Sequence, residues 1–293
     1  MWVSVFTAIS AFCNAGFDLF GRFGAYSSLV PYVNNYYVQA VIMFMIMAGG
    51  LGFMVWVELA EYRKKRRLSL HAKVVLQFSA IFWVGGAVLL ALLEWSNPRT
   101  MGGLSVPGRI MAALFQSVST RTAGMNTIDL AACSPISKLL MSVLQFIGAA
   151  PGSTGGGVKV TTFAVLILTI RSVAQGRDDC VIGGHHIESK TVYRALTIIV
   201  IGAVAAFGSA VVVYYNTAET VSVIDCIFES CSAFGTVGLS VGVTGQLNTG
   251  AKLLYMACMF MGRVGPVSLA ISLTAKPDDN KRKVLPVGHI NVG

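Results

Sequence analysis

Three glycines, Gly16, Gly124 and Gly238, stand in one repeated setting, 108 and 114 residues apart. Each follows a small residue (Ala15, Ala123, Val237) and precedes a bulky apolar one (Phe17, Met125, Leu239), after which comes a small polar one (Asp18, Asn126, Ser240). Ahead of each lies a short apolar stretch, residues 2–17, 110–120 and 223–234, shorter than the ~20 residues a membrane span needs. The chemistry such segments offer is that of the backbone. Glycine permits positive φ, and non-helical backbone at membrane depth is tolerated only where protein buries it or water fills a cavity. Carbonyls turned inward can there replace the hydration shell of a cation. The C-terminal end of each short helix adds a partial negative charge of about half an electron.

The elements around these segments are those of a membrane protein. Of 293 residues 55% are hydrophobic and 12% charged, and the mean hydropathy is +0.69, whereas a soluble domain averages about 25% charged residues. The formal charge of +9 does not point to nucleic acid, because the basic residues cluster in the gaps between apolar runs, where the positive-inside rule places them. The six cysteines, at 13, 133, 180, 226, 231 and 258, show no CxxC and no ligand spacing, so they read as small buried residues. No basic region precedes the first apolar stretch, and no signal peptide is read there. There is no Ser/His/Asp set and no paired carboxylate, and His185-His186 read as solvated; no enzyme is expected.

Full spans are expected over residues 38–57, 74–93, 195–218 and 253–274. A further apolar run, residues 139–158 and 160–170, is interrupted by Gly148 to Gly157 and by Lys159. Gly21 to Asn35 reads as an exposed loop and residues 94–109, with Pro98, Gly102, Gly103 and Pro107, as an outer one. The run Arg63 to Arg67, the loop carrying Arg171, Arg177, Lys190 and Arg194, and the tail with Lys276, Lys281, Arg282 and Lys283 are assigned to the cytoplasm. Every glycine motif then falls on the outer side. The expected fold is an all-α polytopic membrane protein of repeated units, each a span, a short re-entrant helix, a glycine-bearing strand and a span.

The chain resembles the membrane subunit of the Trk/Ktr/HKT family of potassium transporters. The residues that carry the resemblance are Ser10 to Asp18, Ser117 to Gly124, Ser153 to Gly157 with Lys159, Ser232 to Ser240, Gly262 to Pro266, and the closing Ile290 to Gly293. The family has four such units around one pore. The resemblance therefore implies about two and a half units: the second, from its pore helix onward, in residues 1–67, the third in 68–178 and the fourth in 179–276, with a cytoplasmic tail at 277–293. The chain is accordingly expected to be N-terminally truncated and, on its own, not to support potassium uptake. Cys13 stands where the family more often has Asn.

The resemblance assigns the selectivity filter to Cys13, Asn14, Ala15, Gly16 and Phe17, to Arg121, Thr122, Ala123, Gly124, Met125 and Asn126, and to Gly235, Thr236, Val237, Gly238, Leu239 and Ser240. Gly152, Ser153, Thr154, Gly155, Gly156, Gly157 and Lys159 lack the Gly-Lys-[Ser/Thr] order of a phosphate loop. They are read as a flexible intramembrane loop that obstructs the pore, a gate completed by Arg263, which faces it as an electrostatic barrier. The implied function is gated, channel-like potassium uptake across the bacterial plasma membrane, with no cofactor beyond the transported K+ and with sodium symport as an option. The implied assembly is a homodimer with a separate cytosolic nucleotide-binding ring. The alternatives are a non-conducting fragment and a sodium-permeable relative.

Overall fold

The computed structural model describes residues 1–21, 24, 27–176, 180–217 and 221–265. Arg22, Arg177, Pro266, the basic residues 276 and 281–283 and the expected tail 277–293 lie outside the described residues. The helices are α1 (Trp2–Phe12), α2 (Tyr36–Gly50), α3 (Phe53–Lys65), α4 (Leu70–Glu94) and α5 (Val106–Ser119), followed by α6 (Pro135–Phe146), α7 (Val160–Ala174), α8 (Ser189–Asn216), α9 (Val223–Gly235) and α10 (Thr249–Val264). A two-stranded hairpin, β1 (Val181–Ile182) and β2 (His185–His186), lies between α7 and α8.

Local sequence marks where these helices start. Asn35, Ser69, Ser105, Ser134, Ser222 and Asn248 each accept a hydrogen bond from an N–H in the first turn of the helix that follows, satisfying donors that have no partner within the helix. α5 and α6 also carry a proline in the first turn, where the missing N–H costs nothing.

Among the described residues α4 and α8, with 25 and 28 residues, are long and apolar enough to cross a membrane. The pair α2 and α3 passes the same test taken together, but bends by 99°. The straight span expected over 38–57 is therefore broken. Gly52 takes φ +83°, and the loop from Gly148 to Lys159 docks into the break. Ala150 N–H donates to Gly50 O at 3.0 Å, Thr154 N–H to Gly49 O at 3.3 Å and Phe53 N–H to Gly152 O at 3.2 Å. Polar backbone that would otherwise be orphaned in the interior is thereby paired.

The three short helices pack in a repeating pattern. α1 lies on α2, α5 lies between α4 and α2, and α9 lies among α8, α10 and α6. The helix after one glycine segment thus supports the short helix before the next. Small residues permit this closeness: a methyl group on Gly49 would overlap Phe12 O, and one on Gly262 would overlap Phe234 O. Two acids hold connections between the helices, Glu94 fully buried and Asp225 half-buried. Glu94 Oε2 accepts from Asn97 Nδ2 (2.7 Å) and Thr100 Oγ1 (2.6 Å), and its Oε1 accepts from Ser134 N–H (2.8 Å). Asp225, in the first turn of α9, pairs with Lys138 of α6 at 2.7 Å.

Candidate functional site

The three glycine segments fold alike. Gly16, Gly124 and Gly238 have φ of 72°, 78° and 92°, and the residues two positions earlier, Asn14, Thr122 and Thr236, have φ of 49°, 72° and 51°. Alternating the hand of the backbone in this way lets consecutive carbonyls face the same side. Positive φ is a genuine outlier for a β-branched threonine, and strain of about 1–3 kcal/mol at such positions persists only where the surroundings enforce it.

What enforces it is a serine in the last turns of each short helix. Ser10 Oγ donates to Phe17 O at 2.7 Å, Ser232 Oγ to Leu239 O at 2.7 Å, and Ser119 Oγ to Met125 O. The carbonyls of the same serines accept from Ala15, Val237 and Ala123 N–H at 2.9, 2.8 and 3.0 Å. In each segment the carbonyl after the glycine is thereby pinned back to the helix.

The segments meet at one place. A methyl group on Gly16 would lie 2.9 Å from Ala123 O and 3.4 Å from Val237 O. One on Gly124 would overlap Val237 O and stand 3.0 Å from Gly16 Cα, and one on Gly238 would stand 3.7 Å from Gly124 Cα. The Asn14 amide and Thr122 Oγ1, 3.3 Å apart, join two of the segments below the glycines. Above them Asn126 and Ser240 border an open cavity of about 510 Å³ that also includes Asp129. A second cavity, of about 460 Å³, separates Ala15 and Phe17 from Val237, Gly238 and Ser240. Phe17 is 70% exposed, while Met125 and Leu239 are buried in the core.

The interrupted loop lies beneath this convergence and touches all three segments. Thr154 Oγ1 donates to Phe12 O at 3.2 Å, at the end of α1. Gly155 abuts Thr122 Oγ1 and Gly156 abuts Thr236 Oγ1 so closely that a methyl group on either would overlap the hydroxyl. Gly152 and Gly157 turn the chain with φ of 69° and 68°, and Ser153 Oγ closes the turn on Ala150 O at 2.6 Å. Two cations hold the loop: Lys159 Nζ donates to Gly155 O at 2.6 Å, and Arg263 Nη1 donates to Thr154 O. Gly157 N–H donates to Gly262 O at 3.1 Å, next to Arg263.

Arg121 is placed differently from the other residues of its segment. Its side chain turns away from the convergence, is 4% exposed, donates through Nη2 to Gly148 O at 2.7 Å and lies 4.9 Å from the centre of the Phe82 ring. It ties the second segment to the neck of the loop, and whatever it offers an ion is a carbonyl. Cys13 caps the end of α1 with an exposed side chain.

The sequence reading missed Glu229. This carboxylate, 4% exposed on α9, accepts from Ser240 Oγ (2.5 Å), Val241 and Val243 N–H (both 3.1 Å) and Thr244 Oγ1 (2.9 Å). It therefore shapes the chain leaving the third segment. A signal was present, since an acid inside an apolar stretch is costly unless it is partnered.

The family model described as TrkH, cation transport protein, matches residues 1–283. The Ktr system potassium uptake protein B of Vibrio alginolyticus is 38% identical over 280 residues, 95% of this chain and 60% of that protein. The potassium/sodium uptake protein NtpJ of Enterococcus hirae is 36% identical over 278 residues, 94% of this chain and 60% of that protein. The Ktr system potassium uptake protein B of Bacillus subtilis is 33% identical over 293 residues, 100% of this chain and 64% of that protein. The chain thus spans somewhat under two thirds of these relatives. The crystal structure of the potassium transporter TrkH from Vibrio parahaemolyticus shares the fold, with a TM-score of 0.72 at 20% identity over 90% of this chain and 56% of that one. Since the family match runs through all three glycine segments, the interrupted loop and Arg263, the chain belongs to the TrkH family of cation transport proteins, which are ion transporters and not enzymes.

Proposed function

We propose that these residues form the ion-translocating part of a potassium-uptake transporter. The observation that carries the reading is the convergence of three glycine segments whose carbonyls are pinned by Ser10, Ser119 and Ser232. With the chain after each glycine fixed in this way, the other carbonyls of the segments, Ala123 O and Val237 O among them, can replace the water around a cation without reorganising. The loop from Gly152 to Gly157 is the gate, held shut by Lys159 and Arg263, whose charges also oppose a cation beneath the filter. Residues 1–67, 68–178 and 179–276 are three successive pore units, and the cavity between Ala15 and Gly238 is where a fourth segment closes the ring.

The basic run Arg63 to Arg67, at the exposed end of α3, faces the cytoplasm of a bacterial cell. It supplies the surface for a separate nucleotide-binding ring under a homodimer, with the C-terminus on the same side. A sodium-permeable transporter is the second reading, favoured by the likeness to a protein named for potassium and sodium uptake.

Uptake of potassium and sodium by a transporter that carries these residues beside a fourth unit separates the two. Potassium should win, and Ser232→Ala should lower that preference by about five- to tenfold, the worth of one buried hydrogen bond. An unchanged ratio in the variant would remove the pinned carbonyl from the account, and equal uptake of both ions would favour the second reading.

A further inference from the structure

A groove of about 480 Å³ lies between the first turns of α4, the last turn of α7 and the hairpin β1–β2. Its polar wall is Lys73 and Gln77 from α4 with Arg171 and Gln175 from the end of α7, and its floor is Val74, Phe78 and Leu168. It shares no lining residue with the cavities around the glycine segments. We propose that this groove binds the phosphate of an anionic phospholipid.

The charges are the first ground. The ion pairs among the described residues are Lys65–Glu61 and Lys138–Asp225, so neither Lys73 nor Arg171 has an acidic partner there. Glu58, the acid that reaches the start of α4, is taken up by Ser69 N–H at 2.8 Å and Ser69 Oγ at 2.7 Å. Lys73 also stands one turn into α4, close to the end of a helix where the dipole disfavours a cation. An anion between the two side chains offsets both penalties. The planar guanidinium of Arg171 can take two phosphate oxygens at once, and Lys73 adds a point charge.

The shape is the second ground, and it favours a lipid over a soluble ion. From Leu70 to Phe78 the groove follows α4 over eight residue steps, about 12 Å at 1.5 Å per residue, enough for a headgroup, its glycerol and the first methylenes. Its floor is apolar, and the helices beside it present apolar side chains outward: Ile81 is 58% exposed, Ile170 60% and Val173 63%. The groove thus joins a cationic rim at the end of two helices to a surface that acyl chains cover, the arrangement by which basic pockets between membrane helices recognise phospholipid headgroups. The inference needs only that the bundle sits in a bilayer, so it stands or falls separately from the filter and the gate.

Native mass spectrometry of the detergent-solubilised, delipidated chain, titrated with phosphatidylglycerol, phosphatidylethanolamine or inorganic phosphate, tests it. Two interfacial cations predict one retained phosphatidylglycerol at about thirtyfold preference over phosphatidylethanolamine. Lys73→Gln with Arg171→Gln should abolish the preference. Both side chains are exposed, so the fold is not at risk, and Lys73→Arg with Arg171→Lys should retain it. Arg99→Gln with Lys252→Gln, which removes exposed charge outside the groove, should leave it unchanged. A preference that survives the Gln pair, or that disappears with the control pair, would overturn the proposal, as would inorganic phosphate binding as well as the lipid.

Discussion

In a transporter that carries these residues beside a fourth unit, Gly124→Ala is expected to abolish selective potassium uptake, with Gly16→Ala less severe and Gly238→Ala the mildest of the three. The order follows from what each added methyl group meets. At all three positions an L residue is strained by the positive φ, by about 1–2 kcal/mol. At Gly238 that is nearly the whole cost, because the nearest atom stands at ordinary contact distance. At Gly16 the methyl group also crowds Ala123 O, and at Gly124 it overlaps Val237 O while crowding Gly16 Cα. These neighbours are backbone of the other two segments and cannot swing aside as a side chain would. Gly238→Ala should therefore cost roughly five- to thirtyfold in discrimination, and Gly124→Ala should leave no potassium preference to measure. Uptake ratios of potassium to sodium for the three variants check the order. If Gly238→Ala proved the most damaging, the convergence of the segments would not be what sets selectivity.

In the same four-unit transporter, Arg263→Ala is expected to raise ion flux. Its guanidinium donates to Thr154 O while Lys159 holds the adjacent carbonyl, that of Gly155. A hydrogen bond from a charged donor contributes about 1.5–3 kcal/mol. Removing one of two such restraints should shift the balance of closed and open loop roughly ten- to a hundredfold toward open. Removing the charge also lowers the barrier to a cation directly. Shortening the loop within residues 153–156 should do the same by removing the obstruction, and the two changes together should add little to either alone. Initial rates of rubidium uptake measure this. Equal rates in wild type, Arg263→Ala and the shortened loop would mean that the loop does not gate.

The parts legible in the sequence were those that depend on residue identity at fixed spacing. Glycine at 16, 124 and 238 is visible because each position takes a positive φ, to which 16 and 124 add crowding, and the short helices are visible because their apolar runs stop early. The serines that pin the carbonyls were less visible. Ser10 and Ser232 stand six residues before their glycines, but Ser119 stands five before Gly124, so alignment on glycine hides the common role. The bend at Gly52 was hidden for a different reason. Hydropathy is continuous through residues 38–57, and the helix breaks there because a loop about a hundred residues later supplies donors to Gly49 and Gly50. Arg121 shows the limit of assigning a whole segment to one role, since burial against Phe82 and Gly148 O turns its side chain away from the place where the segments converge.

The central claim is that the carbonyls of the three glycine segments share one cation path. The most direct measurement is the anomalous scattering of thallium or rubidium in crystals of a transporter that carries these residues. The account predicts density on the axis bounded by Gly16, Gly124 and Gly238, within coordinating distance of carbonyls from all three segments and above the loop at Gly155 and Gly156. Ions found only away from that axis, in crystals where the segments are otherwise ordered, would contradict it.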